Sequence, residues 1–527
     1  MNKKQSWIHK IQDWVLPIHK HEVPQICSLL ALLFLIAFNY NFLKLAKDSV
    51  VIPALRDSVV FVKMWFLMPM AVLMTAFFSY LNEKYKDYYT FLIIIGAFFL
   101  FFLTFGLIIY PNQELFTPKA FVECMEQVVP QNWSGLCDTV RALPLTIFYV
   151  MCELWSTTVW FVLFWGYVNR ITSFEQAKRF FPLIALAGNT TGVFAPLAYN
   201  WAAGNHQRLM PNYFVSNWYY SVALICMIFC IVCLLITALF VYMNAKVFPE
   251  FKSLPPQVQP KQSKPKVGFV KKISFLVEDR SARAIAIIVL SYNIIINLSE
   301  MQWKSQLSRL YATNAEYGIY FGKVMTWTAI IAVITDLFFC SKVLRVFGWK
   351  FSAKITPWVC ILTSIGFFGF LIADHYGSSL WLHSLPWSPL AIAVFFGSMQ
   401  NTLVRASKYS FFDPTKEMAY IPLSEKTKAT AKAAIDGVGS RLGKSGGSSI
   451  YQILYLFVGN SLAACAPFVG VIIFLLSWVW LRSIQHIAQE MGHQALPTKN
   501  QEHQAYSTSE TAKGENSPSL KESTAGA

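Results

Sequence analysis

Charge is what this chain has least of. Lys, Arg, Asp and Glu make up 14% of its 527 residues, where a soluble protein carries about 25%. That shortage, with 55% hydrophobic residues and a mean hydropathy of +0.44, excludes an ordinary soluble domain. Histidine is also sparse and scattered. His375, His383, His486 and His493 form no set with Asp or Cys, which argues against a membrane-embedded enzyme acting on phosphorylated lipids or sugars. No cluster of Mg²⁺ ligands is evident, so neither metal nor cofactor is expected. Short segments of alternating polarity are missing, which excludes a β-barrel. No small-residue cleavage site follows the first apolar run, residues 25–43, so a cleavable signal peptide is not expected.

What is present is a series of long apolar windows, the mark of a polytopic α-helical membrane protein. About twelve spans are predicted, at 25–43, 61–80, 89–110, 144–168, 181–203 and 219–243, then 284–301, 319–341, 352–374, 388–405, 445–463 and 464–482. The segment from Lys246 to Arg283 carries Pro255, Pro256, Pro260 and Pro265 among lysines and reads as a solvated linker. The expected organisation is therefore a cytoplasmic N-terminus (1–24), a six-helix half (25–245), a cytoplasmic linker (246–283), a second six-helix half (284–483) and a disordered tail (484–527). This is an all-α membrane protein of major-facilitator-like architecture, with a substrate site expected between the halves.

Basic residues exceed acidic ones by 44 to 28, but their placement points away from nucleic acid as a partner. They gather in alternate loops, at Lys84 and Lys86, at Arg170, Lys178 and Arg179, and at Lys342, Arg345 and Lys350. The positive-inside rule then places both termini in the cytoplasm. Cys124 and Cys137 share one predicted outer loop and are candidates to pair in an oxidising compartment, although nothing in the sequence fixes their geometry. Asn132-Trp133-Ser134 in that loop matches a glycosylation sequon, a motif common by chance.

Four charges break the apolar pattern: Lys47, Glu153, Glu300 and Lys444. A charge near the bilayer midplane costs roughly 2.5–3.5 kcal/mol on insertion scales, so such residues face a protein interior or a watery path. Two cations and two carboxylates suit an anionic solute. Lys44 and Lys47 are three apart and share a helix face; the bland alternative is that both snorkel to the interface. Gly443-Lys444-Ser445 looks like the end of a Walker A loop, but the glycine needed at position 438 is Val438 and no strand precedes it, so a P-loop is excluded. The glycines Gly443 and Gly446 could still let backbone N–H groups approach phosphate. Among the abundant aromatics, Trp155, Trp160 and Trp303 lie near the charges and are candidates to stack on a base.

These segments carry a family resemblance. Cys152-Glu153-Leu154-Trp155, Phe164-Trp165-Gly166-Tyr167-Val168-Asn169-Arg170, Asn297-Leu298-Ser299-Glu300, Trp303-Lys304-Ser305-Gln306-Leu307, Asp413-Pro414-Thr415-Lys416-Glu417-Met418-Ala419-Tyr420 and Gly443-Lys444-Ser445-Gly446-Gly447 resemble the nucleotide transporters of plastids and obligate intracellular bacteria known as ADP,ATP carriers. The resemblance implies transport roles for Lys47, Glu153, Glu300 and Lys444, and a motif of unassigned role at Asp413, Lys416 and Glu417. It also implies residence in a bacterial inner membrane, with ATP, ADP or another nucleoside triphosphate as partner besides the lipid bilayer. A monomer is expected by analogy with the two-half architecture.

The sequence departs from the family at one place. ATP/ADP exchangers there usually carry Leu-Arg-Asp-Thr-Lys-Asp after the first helix, where this chain has Leu43-Lys44-Leu45-Ala46-Lys47-Asp48. Nucleotide exchange is the leading reading. Proton-coupled symport of UTP, GTP, CTP or ATP stays open, as does a facilitator for another organic anion. In each, phosphates are expected on Lys47, Lys444 and Lys44, with Glu153 and Glu300 neutralising Lys47 and Lys444 when the site is empty.

Overall fold

The computed structural model describes residues 22–204, 218–253, 279–335, 338–339, 341–377, 386–421, 423, 431–432, 435, 440–459 and 461–495. At some helical positions only the backbone is described, Lys444 among them. The described residues form helices and turns with no strand.

In the first half, α1 (Val23–Leu55) and α2 (Met68–Lys84) are joined by a tight turn and a stretch of wider π-helical turns, Val62–Leu67. Then follow α3 (Asp87–Thr104), two short helices α4 (Lys119–Val128) and α5 (Ser134–Arg141), and α6 (Leu143–Trp155). A π-helical stretch, Ser156–Phe164, carries α6 into α7 (Trp165–Ile171). The half ends with α8 (Phe174–Gly204) and α9 (Trp218–Tyr242). The second half contains α10 (Arg280–Leu310), α11 (Asn314–Thr335), α12 (Ser341–Tyr376), α13 (Pro389–Ser407), α14 (Asp413–Ala419), α15 (Ser440–Val458) and α16 (Leu462–Ala495).

Local sequence accounts for the boundaries. Prolines stand at the first turns of α1, α2, α6 and α13, where their missing N–H has no helical partner to lose. Asp279 and Ser388 cap α10 and α13, accepting from Ala282 N at 2.8 Å and Ala391 N at 3.2 Å; such caps satisfy otherwise orphaned donors. Gly348 interrupts α12 with φ +75°, a conformation favoured by glycine because it lacks a Cβ.

Among the described residues, each predicted extent contains helix, and eight helical stretches are long and apolar enough to cross a membrane by length and hydropathy. The first predicted span is corrected. Its helix does not stop at residue 43 but runs on to Leu55, 33 residues in all, about 50 Å at 1.5 Å per residue. Lys44, Lys47 and Asp48 therefore lie inside the helix, not beyond its end. The last helix likewise continues to Ala495, past the expected start of the tail at 484. Residues 1–21, 254–278 and 496–527 lie outside the described residues, and with them most of the expected linker and tail.

α1 and α10 are the inner helices of their halves. From Phe42 to Leu55, α1 is nearly all buried, and α10 is buried almost continuously from Ser291 to Leu307. The two ends of the bundle differ. Asp57, in the turn after α1, defines one; the described chain begins and finishes at the other, which we call the terminal end.

Candidate functional site

The buried charges of α1 and α10 meet. Lys47 Nζ lies 2.7 Å from Asp48 Oδ1 and 3.1 Å from Glu153 Oε1 on α6. The second oxygen of Asp48 lies 2.7 Å from Lys304 Nζ on α10. Lys304 is 2.8 Å from Glu300 Oε1, one helical turn earlier, and Arg405 Nη2 of α13 donates to Glu300 Oε2 at 2.6 Å. The result is an ion ladder, Glu153–Lys47–Asp48–Lys304–Glu300–Arg405, that runs from the first half into the second. The Asp48–Lys304 rung is the one that joins the halves.

The ladder is sealed in the middle and open at its ends. The Asp48, Lys47 and Lys304 side chains are 0%, 4% and 3% exposed, whereas Glu300, Arg405 and Glu153 are 15%, 24% and 32% exposed. Lys47 also rests over the Tyr149 ring at 4.3 Å, and Lys304 over Phe321 at 5.4 Å, contacts that favour a desolvated cation. Three cations and three carboxylates cancel. Removing one partner of such a buried pair typically costs about 3–5 kcal/mol, because it leaves the other charge uncompensated. A charged solute entering the open ends would therefore perturb a finely balanced set.

Two further lysines lie within electrostatic range of the ladder. Half-buried Lys44 on α1 feels Arg405, Glu300, Lys304 and Asp48, and half-buried Lys63, in the π-helical stretch before α2, feels Glu300, Lys304, Lys47 and Glu153. Neither makes an ion pair with a described residue.

The structure thus brings Lys47, Glu153, Glu300 and Lys44 to one region. Lys444 falls in the second turn of α15, and its side chain lies outside the described residues. The glycines around it pack rather than cradle. A Cβ at Gly443 would fall 2.6 Å from Asn293 Cβ, and one at Gly447 would fall 2.6 Å from Asn297 Oδ1. This is a small-residue seam along which α15 approaches α10 closely. Reading Gly443 as a glycine that frees backbone for phosphate is corrected to helix packing. Gly446 has Ile294 Cγ1 at 3.8 Å as its nearest neighbour.

Two of the three tryptophans are also corrected. Trp155 is fully buried, donates to Ile36 O at 3.2 Å and packs edge-on against Phe98 and Phe229. Trp303 is fully buried and donates to Ser398 Oγ at 3.1 Å and Val394 O at 3.2 Å. Neither has a free face for a base. Trp160 is half-buried and meets Tyr40 edge-on at 5.0 Å, and Tyr40 feels both Glu153 and Arg405. Trp160 with Tyr40 is the aromatic pair next to the ladder.

Asp413, Lys416 and Glu417 belong to α14 and pair with lysines that are not members of the ladder. Asp413 pairs with Lys408 at 2.8 Å, and Glu417 with Lys432 at 2.5 Å and Lys416 at 3.4 Å. Burial pushes the Glu417 carboxyl up, but the hydrogen bond from Lys432 and the two lysine charges outweigh it and hold the group below its usual range. Cys124 is an exposed free thiol and Cys137 a buried one.

Sequence reasoning missed Asp48, Lys304, Arg405 and Lys63. Two of these had a signal. Glu300 and Lys304 form an i,i+4 pair of the favourable order, and Asp48 directly follows Lys47.

At the Asp57 end the halves interlock. Asp57 accepts from Ser305 Oγ at 2.5 Å and from Leu462 N, at the start of α16, at 3.0 Å, while its carbonyl accepts from Tyr455 at 3.2 Å. Trp65 donates to Gln452 Oε1 at 3.2 Å, Trp133 to Gln452 O at 3.3 Å and Asn132 to Leu456 O at 3.1 Å.

Comparison with known proteins agrees with this architecture. A solved bacterial homologue of the iron transporter ferroportin, in an inward-facing state, superposes with a TM-score of 0.56 at 14% identity, covering 89% of this chain and all of that one. This likeness speaks for the fold alone. In sequence, the chain is 34% identical over 479 residues to ADP,ATP carrier protein 1 of Chlamydia trachomatis, covering 90% of each protein. It is 35% identical over 480 residues to the plastidic ATP/ADP-transporter of Solanum tuberosum, covering 90% of this chain and 74% of that one. The model of the TLC ATP/ADP transporter family matches residues 1–491, and the chain belongs to that family.

Proposed function

We propose that the protein is a membrane carrier that exchanges ATP for ADP by alternating access, without hydrolysing either. The observation that carries the mechanism is the ion ladder, whose central rung ties α1 of one half to α10 of the other. Family membership and the relatives named above support the substrate.

In the empty carrier the ladder neutralises itself and holds the halves together. A nucleotide reaching its open ends presents phosphates to Lys44 and Arg405, displaces Glu300 and Glu153 from their cations, and through Glu153 uncovers Lys47. Weakening the Asp48–Lys304 rung releases the halves to rock. Only a loaded carrier then reorients, which makes transport an exchange. Trp160 and Tyr40 are placed to receive the base. Lys444, whose backbone lies in the second turn of α15 at the same seam, is a further phosphate ligand in this proposal. With the positive-inside orientation, the Asp57 end faces outward and both termini face the cytoplasm, so the conformer described is closed on the outside by Asp57, Trp65, Asn132 and Trp133.

A second reading has one observation in its favour. Glu153 is the most exposed member of the ladder and has a single cationic partner within 4 Å among the described residues, so it is the carboxylate best placed to take up a proton and couple nucleotide import to a proton gradient. Reconstituted liposomes separate the two. Exchange predicts uptake of labelled ATP that requires internal ADP and ignores an imposed proton gradient. Uptake that follows the gradient and ignores internal ADP rejects exchange and establishes symport.

A further inference from the structure

We infer that Lys63 is a phosphate ligand of the transport site, forming with Lys44 a subsite for a polyphosphate chain. This rests on the nucleotide-carrier reading above and assigns a residue that sequence motifs do not mark.

Charge balance points to this role. The six ladder residues sum to zero, so they cannot neutralise any additional cation. Lys44 and Lys63 are both half-buried, both within range of Glu300 and Lys304, and neither pairs with a described residue. An ammonium held away from bulk water without a counter-ion is unfavourable, and here the carboxylates in range among the described residues are already paired within the ladder. The missing negative charge is then the solute's. Two spare cations call for a solute with at least two negative charges. A terminal phosphate supplies about −1.5 to −2 near neutral pH, and each further phosphate adds to that, so a nucleoside di- or triphosphate satisfies both lysines while a nucleoside satisfies neither. Lysine suits the task better than arginine, since a mobile point charge with three rotatable donors follows phosphate chains of different length.

Position supports the assignment. Lys63 lies in a stretch of π-helical turns, Val62–Leu67, a feature frequent at functional sites. Its neighbours touch the other half: Ser449 Oγ lies 3.5 Å from Met64 Sδ and Trp65 donates to Gln452. Lys63 thus stands at the seam between the halves, where a bound solute is felt by both. The competing explanation is that Lys63 merely reaches toward the lipid headgroups.

The test uses the full chain in nanodiscs and liposomes, with Lys63→Gln and Lys63→Arg, and with ADP, pyrophosphate and adenosine as probes. Lys63→Gln is expected to weaken ADP and pyrophosphate binding about tenfold or more, the loss of one charged contact, and to raise the KM for uptake accordingly. Adenosine binding should not change, and Lys63→Arg should restore most of the ADP affinity. The unliganded melting temperature reports whether each variant folds. If wild type transports ATP and ADP while a folded Lys63→Gln binds ADP within about twofold of wild type, the subsite is refuted and the carrier reading stands. The same holds if Lys63→Gln loses turnover with no change in ADP affinity. If wild type neither binds nor transports either nucleotide, the carrier reading itself falls.

Discussion

Asp48 carries two cations at once, one on each of its oxygens, and its contact with Lys304 is the rung that joins the halves. Asp48→Asn keeps the shape and removes the charge, leaving Lys47 and Lys304 in a sealed space without their shared counter-ion. The expected outcome is loss of nucleotide uptake together with a stability loss of about 3–5 kcal/mol, read by transport assay and chemical unfolding in nanodiscs. Retained uptake in the variant would mean that the rung is dispensable. A second comparison concerns the aromatics. Trp160→Ala should raise the KM for nucleotide, whereas Trp155→Phe, which removes the hydrogen bond to Ile36 and shrinks a ring packed in the core, should change KM little and lower stability by about 2–4 kcal/mol. Uptake kinetics of the two variants check this.

The residues that were legible in the sequence were those that violated their surroundings. Glu153 and Glu300 stood out because carboxylates do not belong in apolar windows. Asp48 and Lys304 were hidden for the opposite reason. Their charges suggested that the spans had ended at 43 and 301, so both residues were placed outside. Arg405 stands at the end of the predicted span 388–405, where a cation needs no buried partner. Pairing is what allows a helix to carry charge through the membrane, and pairing is a property of tertiary structure.

At the scale of elements, the glycine-rich run teaches a similar lesson. Its composition suits a phosphate loop, but as a helix it places Gly443 and Gly447 on one face, four residues apart, against Asn293 and Asn297. A Cβ at Gly443 falls at 2.6 Å from a side-chain carbon held in the packed seam. Gly443→Ala should therefore destabilise the protein by about 1–3 kcal/mol and impair uptake. Gly446→Ala, whose nearest neighbour would be 3.8 Å away, should be tolerated or mildly stabilising, because alanine favours helix over glycine by about 1 kcal/mol. Thermal unfolding of the two variants side by side tests the packing. The turn after α1 shows what the sequence did not reveal. Arg56 adopts φ +46° and ψ −119° without being glycine, a conformation of order 1–3 kcal/mol above the usual ones. It places Asp57 where it accepts from the first backbone N–H of α16. The strain belongs to the closed end of the molecule and is free to relax when that end opens.

At the scale of the whole molecule, two halves of helices around α1 and α10 were legible from the spacing of apolar windows and the proline-rich break between them. Which end is closed was not, because closure depends on contacts such as Asp57–Ser305 and Trp65–Gln452 between residues hundreds of positions apart. Asp57→Ala should loosen that end and shift the population toward a state open there. A cysteine placed at Gln452 should then react faster with a membrane-impermeant thiol reagent in the Asp57→Ala background than in wild type. An equal rate would show that Asp57 does not hold the end shut.

The central claim is that an empty carrier, locked by its own neutral ladder, does not reorient. Efflux of labelled ADP from preloaded liposomes tests it most directly. The account predicts that ADP stays inside in nucleotide-free medium and leaves once ATP is added outside; efflux at the same rate with no external nucleotide would contradict it.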